Sequence, residues 1–198
     1  MKLVLATHNP GKVREIQAML GSRFDVVPQS SLSIPEADEP HATFIENALA
    51  KARHASRAAR LPALADDSGL CVDALDGEPG VHSAYYAGRE GSREERDARN
   101  NARLLAALRE QRGGYYCCVM VFVRHAEDPR PLVAEGLWHG EIARTPRGSN
   151  GFGYDPLFLL PKLGKTAAEL DAAEKNRISH RALALRRLLE LLDADRRA

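Results

Sequence analysis

Tyr115-Tyr116-Cys117-Cys118-Val119-Met120-Val121-Phe122-Val123 is apolar on both alternating faces, the pattern of a strand covered by helices on each side. It predicts the middle of a sheet, and the chain reads outward from it. Upstream, Gly113-Gly114 stops a helix expected from Ser92, with a capping box to Glu95 and a stripe of Ala98, Ala102 and Leu105. Before that helix, Asp76 to Gly91 reads as a long ordered loop. Leu61 to Ala65 and Leu70 to Leu75 read as short strands around an acidic turn, Asp66-Asp67-Ser68-Gly69. A helix is expected from Thr43, boxed by Glu46, to about Arg60, with Phe44, Ala48 and Ala52 on one stripe. The start of the chain gives strand, turn, helix: Lys2 to Ala6, then Asn9 as cap with Pro10 at the first helical position, then Val13, Ile16 and Leu20 before Gly21.

Downstream, Leu132 to Ala143 predicts one or two strands and Leu157 to Leu160 another. A short helix is expected from Thr166, boxed by Glu169, and a longer one from about Ser179 to Leu192. Strands alternate with helices, so the class is α/β with a mixed sheet.

Across 198 residues, 28 Lys plus Arg balance 27 Asp plus Glu for a net charge of +1, which argues against a broad basic nucleic-acid surface. Charge recognition must therefore be local. Three cysteines, two of them adjacent in the apolar run, do not suggest a disulfide framework. The N-terminal stretch lacks the pattern of a secretion signal, and Tyr115 to Val123 is too short to span a bilayer as a helix. A cytoplasmic location is expected, with neither membrane nor nucleic acid as partner.

Four clusters have residue types suited to chemistry. Thr7-His8-Asn9-Pro10-Gly11-Lys12 sits where a helix N-terminus offers N–H donors, and Lys12 adds a full charge, so it reads as an anion site or as a simple cap. It is not a Walker A loop: Gly164-Lys165-Thr166 has Leu159 where the first glycine belongs. Asp66-Asp67-Ser68-Gly69 places carboxylates at a strand end, as ligands for a hard cation such as Mg2+ or as a polar turn. Ser149-Asn150-Gly151-Phe152-Gly153-Tyr154-Asp155-Pro156 puts aromatics in a glycine-rich loop, able to stack on a flat base or to tuck into the core. Pro156 and the strand that follows exclude a dinucleotide fingerprint. Lys175 and Ser179-His180-Arg181 set cations at a helix start, a location that favours an intervening anion. Anion donors, oxygens for Mg2+ and an aromatic loop together describe a nucleoside triphosphate.

In order along the chain, Thr7-x-Asn9-x-x-Lys12, Thr43-Phe44-Ile45-Glu46-Asn47-Ala48, Ala65-Asp66-Asp67-Ser68-Gly69-Leu70, Gly151-Phe152-Gly153-Tyr154-Asp155-Pro156 and Ser179-His180-Arg181 resemble the inosine/xanthosine triphosphate pyrophosphatase family. The resemblance implies one domain over 1–198, an elongated two-lobed α/β fold around a long mixed sheet flanked by helices, the substrate in the cleft between lobes, and a homodimer. It implies Mg2+-assisted hydrolysis of ITP, dITP and XTP to the monophosphate and pyrophosphate, cleansing the nucleotide pool. Asp67 would accept the proton and, with Glu39, hold Mg2+. Thr7, His8, Asn9, Pro10, Gly11, Lys12 and Lys51 would bind phosphates, and Ser68, Phe152, Gly153, Tyr154, Asp155, Lys175, His180 and Arg181 would complete the substrate-binding set. The alternatives are a pyrophosphatase for other modified or ordinary triphosphates and a noncatalytic nucleotide-binding module. A Nudix hydrolase fits poorly, because Arg96 and Asp97 do not continue the acidic helix that Arg93-Glu94-Glu95 begins.

Overall fold

The computed structural model describes residues 2–195. Seven strands form one mixed sheet: β1 (Lys2–Leu5), β2 (Asp25–Pro28), β3 (Ala63–Val72), β4 (Gly113–Val123), β5 (Leu132–Ile142), β6 (Phe158–Leu160) and β7 (Lys165–Thr166), in the order β2-β1-β3-β4-β5-β6-β7. β1 runs parallel to β2 and β3, whereas β6 is antiparallel to both β5 and β7. The apolar strand β4 is the fourth of the seven, the central place its two-faced pattern predicts. Five helices accompany the sheet: α1 (Pro10–Leu20), α2 (Phe44–Ala59), α3 (Arg93–Ala107), α4 (Ala172–Ile178) and α5 (His180–Asp195). No helix of the described residues is long and apolar enough to cross a membrane.

The chain divides into two compact units, one made of Met1–Asp67, Cys118–Gly136 and His180–Ala198, the other of Ser68–Cys117 and Leu137–Ser179. In the first unit, Leu3 and Leu5 of β1 and Cys118, Met120 and Phe122 of β4 share a core with Ile16 and Leu20 of α1 and Leu185, Leu188 and Leu192 of α5. The spacing of two along the strands and of three or four along the helices brings these side chains to one face of each element. α1 begins as expected, with Asn9 capping and Pro10 first, and ends at Gly21, whose φ of 55° favours a residue without a Cβ. α5 lies so close to β5 that a Cβ on Gly136 would stand 2.2 Å from the His180 carbonyl oxygen and 2.5 Å from the Ala184 nitrogen. Both are backbone atoms, so Gly136→Ala is expected to cost about 3 kcal/mol through overpacking, measurable as a lowered midpoint in urea.

The second unit is built on aromatic packing. Tyr116 and Trp138 lie 4.7 and 5.2 Å, centroid to centroid, from Phe158, and Leu70, Val72, Leu104, Tyr154 and Leu157 close the same core. The segment expected as a loop, Asp76 to Gly91, contains a 3-10 turn at Gly80–Tyr85. Its Ser83 hydroxyl accepts from the Leu70 N–H at 2.9 Å and donates to the Gly80 carbonyl at 2.6 Å.

Three local expectations change and one strand was not foreseen. The acidic turn is absent: Asp66 to Gly69 lie inside the continuous strand β3, because burial and cationic partners outweigh the local turn preference. β2, only four residues ending in proline, escaped a strand pattern. Thr166 and Glu169 do form the capping box, but it caps a three-residue 3-10 turn, and Asp171 with Glu174 starts α4. On α3, Ala98 and Ala102 of the expected stripe are exposed, Leu105 packs against the core, and Asn100 and Leu104 are buried, so the packed face is rotated to include a polar residue.

Candidate active site

The chemistry of the first unit begins at the turn from β1 to α1. The Thr7 hydroxyl accepts from the Asn9 N–H, and Asn9 Oδ1 accepts from the Gly11 and Lys12 N–H groups at 2.9 and 3.2 Å. The cap thus uses two of the helix-terminal donors that an anion would otherwise take, leaving the side-chain charge of Lys12 as the stronger attraction. His8 Nδ1 lies 3.1 Å from Gln29 Nε2 and 3.3 Å from a Glu36 carboxylate oxygen.

Strand alternation turns Asp66 and Asp67 to opposite faces of β3, and each meets its own cations. Asp66 is 1% exposed. Its Oδ2 lies 2.8 Å from Lys12 Nζ and 3.4 Å from both Nε and Nη2 of Arg181. Arg181 also donates to Glu15. Burial alone would raise the Asp66 carboxyl, but Lys12, Arg181 and Lys51 outweigh it and hold the group well below the usual carboxylate range. For Arg181, burial opposes the charge and Asp66 and Glu15 restore it, so the guanidinium stays protonated.

Asp67 faces α2. Asn47 and Lys51, one helical turn apart, both donate to it: Asn47 Nδ2 to Oδ2 at 3.3 Å and Lys51 Nζ to Oδ1 at 2.8 Å. Lys51 Nζ also donates to Glu39 Oε1 at 2.7 Å. Glu39 and Asp67 therefore converge on one point. Burial pushes the Asp67 carboxyl above its ordinary value, against the pull of Lys51 and Lys12. Burial would lower the Lys51 ammonium, yet Asp67, Glu39 and Asp66 raise it above its ordinary value. No group of three or more His, Cys, Asp and Glu able to hold a metal occurs among the described residues. Two converging carboxylates nonetheless suit Mg2+, which takes one or two and fills its shell with water and phosphate oxygens.

The second unit holds the aromatic loop. Asp155 Oδ2 accepts from the Phe152 N–H at 2.9 Å and from Lys175 Nζ at 2.5 Å. A Cβ on Gly151, whose φ is +77°, would stand 2.0 Å from that oxygen, so the turn requires glycine there. Lys175 Nζ and Arg93 Cζ lie 4.8 and 4.7 Å from the centroid of the Phe152 ring, within cation–π range. The Tyr154 hydroxyl donates to the Ser83 carbonyl at 2.9 Å. Ser68 is half-buried in β3.

The expected residues thus sort into two sets. Glu39, Lys51 and Asp67 meet in the first unit, as do Lys12 and Arg181 on Asp66, and Phe152, Asp155 and Lys175 meet in the second. The basic cluster near 175–181 separates, with Lys175 in the second unit and the buried His180 and Arg181 in the first. Asp66 was read only as a cation ligand or part of a polar turn, not as the partner of Lys12 and Arg181, and Asn47 only as part of the family motif. Their signals were modest: a doubled acid, and an amide one turn before a lysine.

The model for the Ham1 family matches residues 3–191. A protein of Burkholderia pseudomallei named dITP/XTP pyrophosphatase is 63% identical, the match covering 96% of this chain and 93% of that protein. One of the same name from Nitrosomonas europaea is 59% identical over 96% of this chain and 94% of its own length. Among solved structures, a HAM1 protein from Coxiella burnetii superposes with a TM-score of 0.88 at 45% identity, covering 98% of this chain and 99% of that one. A nucleoside-triphosphatase / dITP/XTP pyrophosphatase from Mycobacterium abscessus gives 0.72 at 43% identity, covering 96% and 99%.

Proposed function

The chain belongs to the Ham1 family, and from that membership we propose that it is a nucleoside triphosphate pyrophosphatase that hydrolyses dITP, ITP and XTP to the monophosphate and pyrophosphate. The observation that carries this reading is the convergence of Glu39 and Asp67 on one ammonium, that of Lys51, with Lys12 and its own carboxylate on the other face of β3. Hydrolysis of a triphosphate needs a proton acceptor, cations for the leaving group and oxygens for a hard metal ion, and the first unit supplies all three.

Glu39 and Asp67 would hold Mg2+, whose contribution when bound is to offset the charge of the phosphates. Asp67 takes the proton of the attacking water, and burial suits it to that task by raising its affinity for a proton. Lys12 and Lys51 stabilise the charge that grows on the departing pyrophosphate. Thr7, Asn9, Pro10 and Gly11 shape the turn that presents Lys12, and His8 completes the phosphate motif. His180 and Arg181 belong with the substrate-binding residues by resemblance, and the Arg181 guanidinium also anchors Asp66.

The second unit supplies what a purine needs. The Phe152 ring offers a face for stacking, Gly153 and Tyr154 set the loop, Asp155 with Lys175 fixes the ring's approach, and Ser68 adds a hydroxyl. A 6-keto oxygen accepts from an N–H or a basic side chain, whereas the 6-amino group of adenine would face donors with a donor. Residues 1–198 act as one pyrophosphatase domain in a cytoplasmic homodimer, with neither nucleic acid nor membrane as partner.

The deciding assay gives the purified protein ITP, XTP, dITP, ATP and GTP with Mg2+ and measures pyrophosphate against orthophosphate. Fast pyrophosphate release from ITP, XTP and dITP, slow from ATP and GTP, is expected. Orthophosphate as the first product, or equal rates on all five, would overturn the reading.

A further inference from the structure

The aromatic loop carries two glycines in the left-handed region, Gly151 at φ +77° and Gly153 at +62°. Such residues leave a free loop wide conformational freedom. Both backbone groups of Gly153 are nevertheless held by α3. The Gly153 N–H donates to Asp97 Oδ2 at 2.8 Å, and its carbonyl accepts from Asn101 Nδ2 at 2.9 Å. Asn101 Nδ2 donates also to the Asp97 carbonyl at 2.8 Å, and two carbonyls on one nitrogen fix the amide's orientation. Among the described residues its buried Oδ1 has no hydrogen-bond partner, a cost the helix bears for this arrangement. One turn before Asp97 on the same face, Arg93 stands 4.7 Å from the Phe152 ring centroid and 3.9 Å from Asp97.

We propose that Asp97 and Asn101 are positioning residues for substrate choice: by clamping Gly153 they hold the Phe152 ring in the attitude that meets the purine base. This rests on the proposed reading of the loop as the base-binding element. Neither residue performs chemistry. Their loss weakens base binding and leaves the phosphate-handling groups of the first unit as they are.

The test compares Asp97→Ala, Asp97→Asn, Asn101→Ala and the parent by kcat and KM for ITP and by the Ki of inorganic tripolyphosphate, a probe without a base. Removing one hydrogen bond of this kind raises KM for ITP about tenfold, with kcat and the tripolyphosphate Ki near the parent's. Asp97→Asn keeps an acceptor for the Gly153 N–H and restores KM to within about twofold of the parent. A merely structural role would lower the active fraction and hence kcat, leaving KM alone. KM unmoved in both alanine variants, Ki rising in step with KM, or Asp97→Asn as impaired as Asp97→Ala would each overturn the clamp while the proposed function stands. A parent that releases no pyrophosphate from ITP would overturn the proposed function, and the clamp with it.

Discussion

Asp67→Asn is expected to slow pyrophosphate release from ITP by about a thousandfold or more, the loss typical of removing a general base, while the protein remains folded. The asymmetry follows from what surrounds the side chain. Asp67 receives Lys51 on one oxygen and Asn47 on the other, and asparagine preserves the shape but presents an N–H2 group to one of these two donors. That mismatch costs about 1 kcal/mol of stability, a shift of a few degrees in melting temperature for a chain of this length. Catalysis loses much more, since an amide neither accepts a proton at neutral pH nor offers an anionic oxygen to Mg2+. Single-turnover hydrolysis of ITP alongside a thermal melt separates the two effects. Residual activity within tenfold of the parent would remove Asp67 from the role of proton acceptor.

The sequence made the architecture legible wherever a local rule coincided with the tertiary demand. The two-faced run at β4 could only be a covered strand, and Asn9, Thr43 and Ser92 all cap where their side chains suggested. Legibility failed where distant residues decide the local outcome. Asp66-Asp67-Ser68-Gly69 has turn composition, yet it runs straight through β3 because Lys12, Arg181 and Lys51 neutralise the carboxylates from outside the segment. β2 has too few residues for its period to register, and a parallel partner, β1, gives it its identity.

The same division governs the site. Lys12 and Asp67 were readable because charge near a helix start or strand is conspicuous in a sequence, whereas Lys51, in the middle of α2, came only with the family resemblance. Asp97, Asn100 and Asn101 were not readable: a helix written Arg93-Glu94-Glu95-Arg96-Asp97-Ala98-Arg99-Asn100-Asn101 looks solvated, and of its apolar stripe Ala98, Ala102 and Leu105 only Leu105 packs against the core. Beside the apolar contacts of Leu104 and Leu105, the packed side of α3 carries polar residues whose partners are backbone groups of loops. Asn100 alone donates to the Ser83 and Ala84 carbonyls and accepts from the Ala87 N–H. Hydrophobic periodicity cannot reveal those contacts of a helix that are hydrogen bonds.

Asp66 is where the largest loss of stability is expected. Asp66→Ala removes the carboxylate that Lys12 and Arg181 share. Arg181, 1% exposed, cannot shed its charge, because a guanidinium stays protonated at any accessible pH. Breaking a buried pair by deleting one partner costs about 3–5 kcal/mol, since the remaining charge keeps its desolvation penalty. At the few degrees per kcal/mol usual for this size, the melting temperature falls by about 10 °C. Lys12→Met is the control: Arg181 still faces Asp66, and Lys12, nearer solvent with 14% of its side chain exposed, takes its own charge away, so the expected cost is about 1 kcal/mol. Calorimetry of the two variants at one pH and salt concentration makes the comparison. An Asp66→Ala protein melting within 2 °C of the parent, or no lower than Lys12→Met, would mean that Glu15 suffices for Arg181 and that Asp66 serves the lysine alone.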